Sequence, residues 1–167
     1  MHLGNKGWLD RLKQVYPEAF KGAILELGSL DINGSVRPWF AGASRYVGVD
    51  IVKGPGVDVV CNAKDTRFLE GEFDTLVAFS LFEHDPQWRE SFAHNLPWLR
   101  AGALIFLCWG AEGNPRHPPE PWAAVPVADF TEAAKGWPIE IVDAFFEGTR
   151  FTPDCPGAYD LVARRKP

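Results

Sequence analysis

Cysteine, clustered cations and long apolar runs are all scarce in this 167-residue chain, and each scarcity removes a class of protein. The three cysteines, Cys61, Cys108 and Cys155, are scattered and odd in number, which fits neither a disulfide framework nor a zinc-ligand spacing. The formal net charge is −5 and no block of Lys or Arg interrupts it. A nucleic acid is therefore not the expected partner, because backbone binding rests on clustered cations. The one basic group, Arg164-Arg165-Lys166, reads as a solvated tail. The opening MHLGNKGWLDRLKQ has no apolar core of signal-peptide length, and no later segment is long and apolar enough to span a bilayer. A cytoplasmic chain with no membrane contact is expected. Also missing are an internal repeat, a low-complexity linker, and the G-x-G-x-x-G turn by which dinucleotide-binding domains approach a pyrophosphate.

What the chain does have is an ordinary globular composition, 46% hydrophobic and 23% charged, at a length that buries a two-sided sheet core in one domain, 1–167. Short β-type runs fall at 23–27, 45–49, 57–61, 73–79 and 104–109. Most are near-continuous apolar runs, as parallel strands covered on both faces require. Trp8, Leu9, Leu12, Val15 and Tyr16 share one face of a helix over 7–16, read as an amphipathic lid that Pro17 ends. Ser35 caps an expected helix whose first turn tolerates Pro38. Asp85-Pro86 reads as a helix start with Asp as N-cap. That helix carries Trp88, Phe92, Leu96 and Leu99 on one stripe and stops near Gly102, with Pro97 distorting its last turn. A further helix is expected at 128–135, and two closing strands at 139–145 and 158–163. The fold expected is α/β: a three-layer, doubly wound, mostly parallel sheet of about seven strands ending in an antiparallel hairpin.

Residues 23–50, AILELGSLDINGSVRPWFAGASRYVGVD, run strand, glycine turn, helix signal, strand, acid. Gly28 is followed by Gly34 only after a six-residue step. A cofactor without phosphates needs one close backbone approach, plus acids for its hydroxyls and an ammonium. Glu26 interrupts an apolar strand beside Gly28, where a carboxylate faces an ammonium or else caps a neighbouring N–H. Asp50 closes the next strand, where a carboxylate accepts from two vicinal ribose hydroxyls or simply starts a loop. Ile51 beside it packs on an adenine face or in the core. Asn33-Gly34 alone is a turn dipeptide.

ELGSLDING followed by YVGVD resembles motifs I and II of class I S-adenosylmethionine-dependent methyltransferases of the type 11-like kind. FDTLVAFSLFEHDP resembles the fourth strand and following loop of the same family, commonly FD, an apolar run, then S-x-x-EH. The resemblance spans 22–109, the cofactor half; residues 110–167 form the acceptor side and closing strands. It implies a cofactor site of Glu26, Gly28, Ser29, Asn33, Asp50, Ile51, Asn62, Ala63 and Ser80, holding S-adenosylmethionine before the reaction and S-adenosylhomocysteine after it. Asn62-Ala63 stands where the family often has Asp-Ala reading the adenine edge, and also reads as a strand-ending turn. Glu83 and His84 open the next segment as catalytic candidates, although His84 is equally a structural helix-start histidine. His117 lies in the five-proline run AEGNPRHPPEPWAAVP. That run is an acceptor-binding lid with a base or a stiff surface loop.

The reaction implied is methyl transfer to O or N of a small-molecule or sugar-like acceptor. A DNA N-methyltransferase would carry Asn or Asp with Pro-Pro-aromatic after the fourth strand, where this chain has SLFEH. Catechol-type transfer would need a cluster of Asp and Asn ligands at strand ends, and no metal site is expected. The competing readings are a non-catalytic cofactor-binding or protein-interaction module, for which seven tryptophans leave an aromatic face, and an NAD-type oxidoreductase. The missing third glycine and missing Tyr-x-x-x-Lys count against the oxidoreductase.

Overall fold

In the computed structural model the described residues are 3–32, 34–111, 125–152 and 155–167; at 3–5, 145–152 and 155–156 the description is of the backbone. Seven strands form one sheet: β1 (Ala23–Leu27), β2 (Arg45–Asp50), β3 (Val59–Val60), β4 (Phe73–Phe79), β5 (Leu99–Gly110), β6 (Ile139–Thr152) and β7 (Cys155–Arg165). Their order is β3-β2-β1-β4-β5-β7-β6. Pairing is parallel from β3 to β5, then antiparallel at β5–β7 and β7–β6. This is the expected doubly wound α/β sheet with an antiparallel end. Strand order reverses between β1 and β4, so the crevice for a ligand lies outside the carboxyl ends of those two strands.

Alternate residues of each apolar run serve opposite faces, which is why the runs are apolar throughout. On one face Leu25, Leu27, Leu76, Ile105, Leu107 and Trp109 pack against α2 (Trp88–Asn95) and α3 (Val127–Ala134). There Phe82, Trp88, Phe92, Trp109 and Phe130 interlock with ring centroids 5.3–6.1 Å apart. Burying each of these rings contributes about 2 kcal/mol. On the other face Ile24, Val77, Phe79 and Phe106 meet α1 (Leu3–Val15) and the tight turn Pro17–Phe20. The six tryptophans among the described residues are all buried or packed against one of these two clusters. They are core and not an aromatic interaction face.

Several local expectations are revised. The helix α1 is a core helix through Trp8, Leu9 and Leu12, while Val15, expected on the same buried face, is 57% exposed. The Ser35-capped segment forms only a 3-10 turn, Arg37–Phe40. Ser35 Oγ does accept the Arg37 N–H at 3.0 Å. Few residues separate Gly34 from β2, however, and the chain must turn back after Phe40 is buried. Asp85 is not the N-cap of α2, a position Gln87 occupies. Its carboxylate instead accepts the Gln87 N–H at 2.8 Å and the Ser91 hydroxyl at 2.5 Å, making a turn one step earlier. Pro97 ends α2 at Asn95 with a 3-10 turn, Leu96–Trp98, and Leu99 begins β5 rather than closing a helical stripe. Strand β3 is two residues long because the Asp58 carboxylate takes the Gly48 N–H at 2.8 Å, where a backbone carbonyl would continue the ladder.

Candidate functional site

The carboxyl ends of β1, β2 and β4 bring most of the expected residues together. Glu26 sits opposite Gly48 on β2 and Val77 on β4. Asp50 lies two residues beyond Gly48 and so shares the face of Glu26. Between the two acids the chain turns at Gly28, whose φ of +75° lies in the left-handed region that glycine adopts without strain. Gly28 and Ser29 both donate to the Val49 carbonyl, at 2.9 and 3.0 Å. The Cα side of Gly28 is approached by Leu81, which a Cβ there would meet at 3.2 Å.

Glu26 is 5% exposed and accepts one side-chain hydrogen bond, from the Tyr46 hydroxyl at 2.8 Å. Burial pushes its carboxyl up to about 7; the Tyr46 bond and the Arg37 charge hold it back, while Asp50 and Asp58 push it further. Burial also raises the Tyr46 phenol, with Glu26 adding to the effect, so Tyr46 stays a donor. Arg37 lies 4.7 Å above the Tyr46 ring, and its guanidinium donates to the Asp58 carboxylate at 2.7 Å. Tyr46, Arg37 and Asp58 were not singled out from sequence. The period-two pattern of RYVGVD does carry the signal, since Tyr46, Gly48 and Asp50 must share one face.

Asp50 is half-buried. One carboxylate oxygen accepts the Leu30 N–H at 3.1 Å and the other the Val52 N–H at 3.0 Å. Each oxygen keeps a lone pair for a ligand hydroxyl. Ile51 beside it is 66% exposed, an apolar side chain with no core partner at this edge. Ser29 is buried and its hydroxyl has no hydrogen-bond partner among the described residues. Asn62 caps the 3-10 turn Ala63–Asp65 by accepting the Lys64 N–H at 3.0 Å. Ala63 is buried, and its carbonyl accepts from Asn95 at 2.7 Å.

After β4, Ser80 has φ +55°, a left-handed conformation uncommon for a residue with a side chain. Its N–H donates to the Cys108 carbonyl at 2.7 Å, which locks the bend. The 3-10 turn Phe82–His84 follows. Glu83 is 3% exposed; one carboxylate oxygen accepts the Gly110 N–H at 3.0 Å and the other is buried without a partner among the described residues. Burial pushes its carboxyl up to about 7, against hydrogen bonds from its own N–H and that of Gly110. His84 is half-buried beside it. Asn33 and His117 lie outside the described residues. No group of three or more potential metal ligands occurs among the described residues, and no helix among them is long and apolar enough to cross a membrane.

No protein-family model and no curated protein sequence matches the chain. Solved structures do. The 1,6-didemethyltoxoflavin-N1-methyltransferase of Burkholderia thailandensis, solved with 1,6-didemethyltoxoflavin and S-adenosylhomocysteine, superposes with a TM-score of 0.71 at 15% identity, covering 98% of this chain and 83% of that one. An S-adenosylmethionine-dependent methyltransferase of Mesorhizobium loti gives 0.68 at 15% identity, covering 93% and 96%. The [4+2]-cyclase SpnF gives 0.72 at 15% identity, covering 94% and 81%. The chain therefore has the Rossmann-like methyltransferase fold.

Proposed function

We propose that the protein, as one 167-residue domain, binds S-adenosylmethionine and transfers its methyl group to a small-molecule acceptor at O or N. The observation that carries this reading is the pair Glu26 and Asp50, on one face of adjacent strand tips, with the Gly28 turn between them. The residues present suit the cofactor. A buried carboxyl with a single hydroxyl partner is short of a cation, which an ammonium supplies. A strand-end carboxylate with remaining lone pairs suits vicinal ribose hydroxyls. The exposed Ile51 offers an apolar face to adenine, and Ser29 has a hydroxyl in need of a partner. Gly28, Asn33, Asn62, Ala63 and Ser80 complete the proposed cofactor site. Leu81, now against Gly28, is the side chain that would shift to admit a ligand.

When bound, the cofactor supplies an activated methyl group with its leaving group built in. The chain then has to align the acceptor in line with it and exclude water, contributions worth roughly 7–11 kcal/mol of barrier in favourable cases. The Ser80 bend points the chain away from β4 at the mouth of the crevice, and Glu83 fixes the next turn to the end of β5. A proton on the acceptor must leave only if the nucleophile carries one; His84, His117 and Glu83 are the proposed groups for that task. A cytoplasmic setting belongs to the same reading, and Cys61, which forms no disulfide among the described residues, agrees with it.

The test is calorimetry with S-adenosylmethionine, S-adenosylhomocysteine and NAD, followed by methyl transfer to a metabolite panel. Binding of both adenosyl compounds but not NAD, with transfer to at least one metabolite, is expected. Binding without transfer to any acceptor would leave a non-catalytic module, and binding of NAD alone would sink the proposal.

A further inference from the structure

Glu26 is poorly provided with positive charge for an acid so deep in a fold. The charged and titratable groups that act on it are Tyr46 and Asp50 from β2, Arg37 from the 3-10 turn, and Asp58 ahead of β3. Two of the four, Asp50 and Asp58, are carboxylic acids that push the Glu26 carboxyl up, and Tyr46 is a neutral phenol. Arg37 is the one cation among the described residues that acts on it, and it is committed elsewhere: its guanidinium donates to Asp58 at 2.7 Å and to the Tyr46 carbonyl at 3.3 Å. Asp58 is fixed in turn by the Gly48 N–H at 2.8 Å. What reaches Glu26 directly is the Tyr46 hydroxyl, at 2.8 Å on its Oε2.

We infer that Tyr46 is a positioning residue for Glu26, and that capture of a cationic ligand group by this carboxyl is coupled to loss of the carboxyl's proton. The inference rests on the cofactor reading above and deepens it by assigning a proton to the binding step. Before binding, Glu26 holds a proton and accepts from Tyr46. On binding, the Glu26 O–H bond breaks, the proton passes to buffer, and the carboxylate pairs with the incoming ammonium while keeping the Tyr46 bond. Charge balances, since one cation enters the site and one proton leaves. Tyr46 aims the carboxylate and favours its ionised form, because a hydroxyl donor stabilises the charged acceptor more than the neutral one. Arg37 acts in the same direction from further away, with Asp58 blunting it. Affinity for the ammonium-bearing ligand consequently rises with pH through neutrality.

The test uses the full chain and three probes: S-adenosylmethionine and S-adenosylhomocysteine, which both carry the ammonium, and 5′-methylthioadenosine, which lacks it. Calorimetry at pH 6.5 in buffers of differing ionisation enthalpy should show more than half a proton released per S-adenosylhomocysteine and none per 5′-methylthioadenosine. In Tyr46→Phe the affinity for S-adenosylhomocysteine should fall about 5–10-fold at pH 7 and less than twofold at pH 9. Its pH profile is displaced upward while 5′-methylthioadenosine binding is unchanged. Arg37→Gln should displace the profile in the same direction by less, and serves if Tyr46→Phe does not fold. Glu26→Gln should abolish proton release. Binding of S-adenosylhomocysteine without proton exchange, or a wild-type pH profile in the folded Tyr46 variant, overturns the inference while leaving the cofactor reading standing. Failure of all three adenosyl probes to bind overturns that reading and this inference together.

Discussion

The two ends of the same parallel sheet treat their charges in opposite ways. At the amino end, Asp74 uses one carboxylate oxygen to accept the Ala23 N–H at 2.7 Å and the other to pair with Arg100 at 2.8 Å. Gly22 is a glycine there because a Cβ would sit 2.3 Å from the Asp74 carboxylate. Arg45 pairs with Glu72, whose carboxyl is held below its usual range by that bond, and Glu72 also accepts the Leu69 N–H at 2.7 Å. Each of these acids has a cation or a backbone donor for its charge. At the carboxyl end, Glu26 and Glu83 are buried and pushed toward neutrality, Ser29 and Glu83 each leave a buried oxygen without a partner, and Ser80 holds a left-handed backbone. The amino end satisfies its charges; the carboxyl end, where the cofactor site is proposed, leaves its buried acids short of partners among the described residues.

The comparison breaks most visibly with pH. Glu26 and Glu83 titrate near 7 in the fold against about 4.5 for an ordinary glutamate, so the folded chain binds more protons than the unfolded one between those values. The stability this confers is complete below about pH 4.5 and is lost as pH rises through about 7, amounting to roughly 3 kcal/mol for each acid. Urea unfolding at pH 5 and pH 8.5 should show the decline, and Glu83→Gln should remove about half of it. A flat profile would mean that the carboxyl end is not strained by charge. Next in size, Asp74→Ala should cost about 2–3 kcal/mol of stability by freeing a backbone donor and Arg100, with S-adenosylhomocysteine affinity within twofold of wild type. Loss of binding at equal stability would erase the division between the two ends. Asp50→Ala is the converse: at least tenfold weaker S-adenosylmethionine binding, about 1.4 kcal/mol, with a stability loss of only about 1 kcal/mol from the Leu30 and Val52 N–H groups it frees at the more open sheet edge. Smallest is Ser80→Gly, where relief of the positive φ outweighs the added freedom of the unfolded chain by about 0.5 kcal/mol. The variant should melt slightly higher yet turn over more slowly.

Strand β1 was legible to the residue because AILEL is an apolar run, interrupted only by Glu26, between two glycines, and TLVAF after Asp74 marks β4 in the same way. Glu26 and Asp50 share one face because the register sets Glu26 beside Gly48 and strand parity carries that face on to Asp50. Other features depend on distance in space and left little mark on the chain. The Tyr46 bond to Glu26 exists only once β1 and β2 take their register. Asp58 replaces a ladder carbonyl, which shortens β3 although the apolar run suggested five residues. The backbone of Ser80 carries no sequence signature, since serine gives no hint of a left-handed bend. Asp85-Pro86 held the right chemistry two residues too early, because Asx-type turns and N-caps use the same side-chain acceptor.

The placement of β7 between β5 and β6 has a consequence for biosynthesis. Residues 155–165 emerge from the ribosome after the other six strands described in this sheet, yet they fill an interior slot in it. Until they arrive, β5 presents a bare edge and β6 has nothing to pair with, a state open to wrong partners and in need of shelter. A chain broken off before Cys155 would therefore lose two strands rather than one.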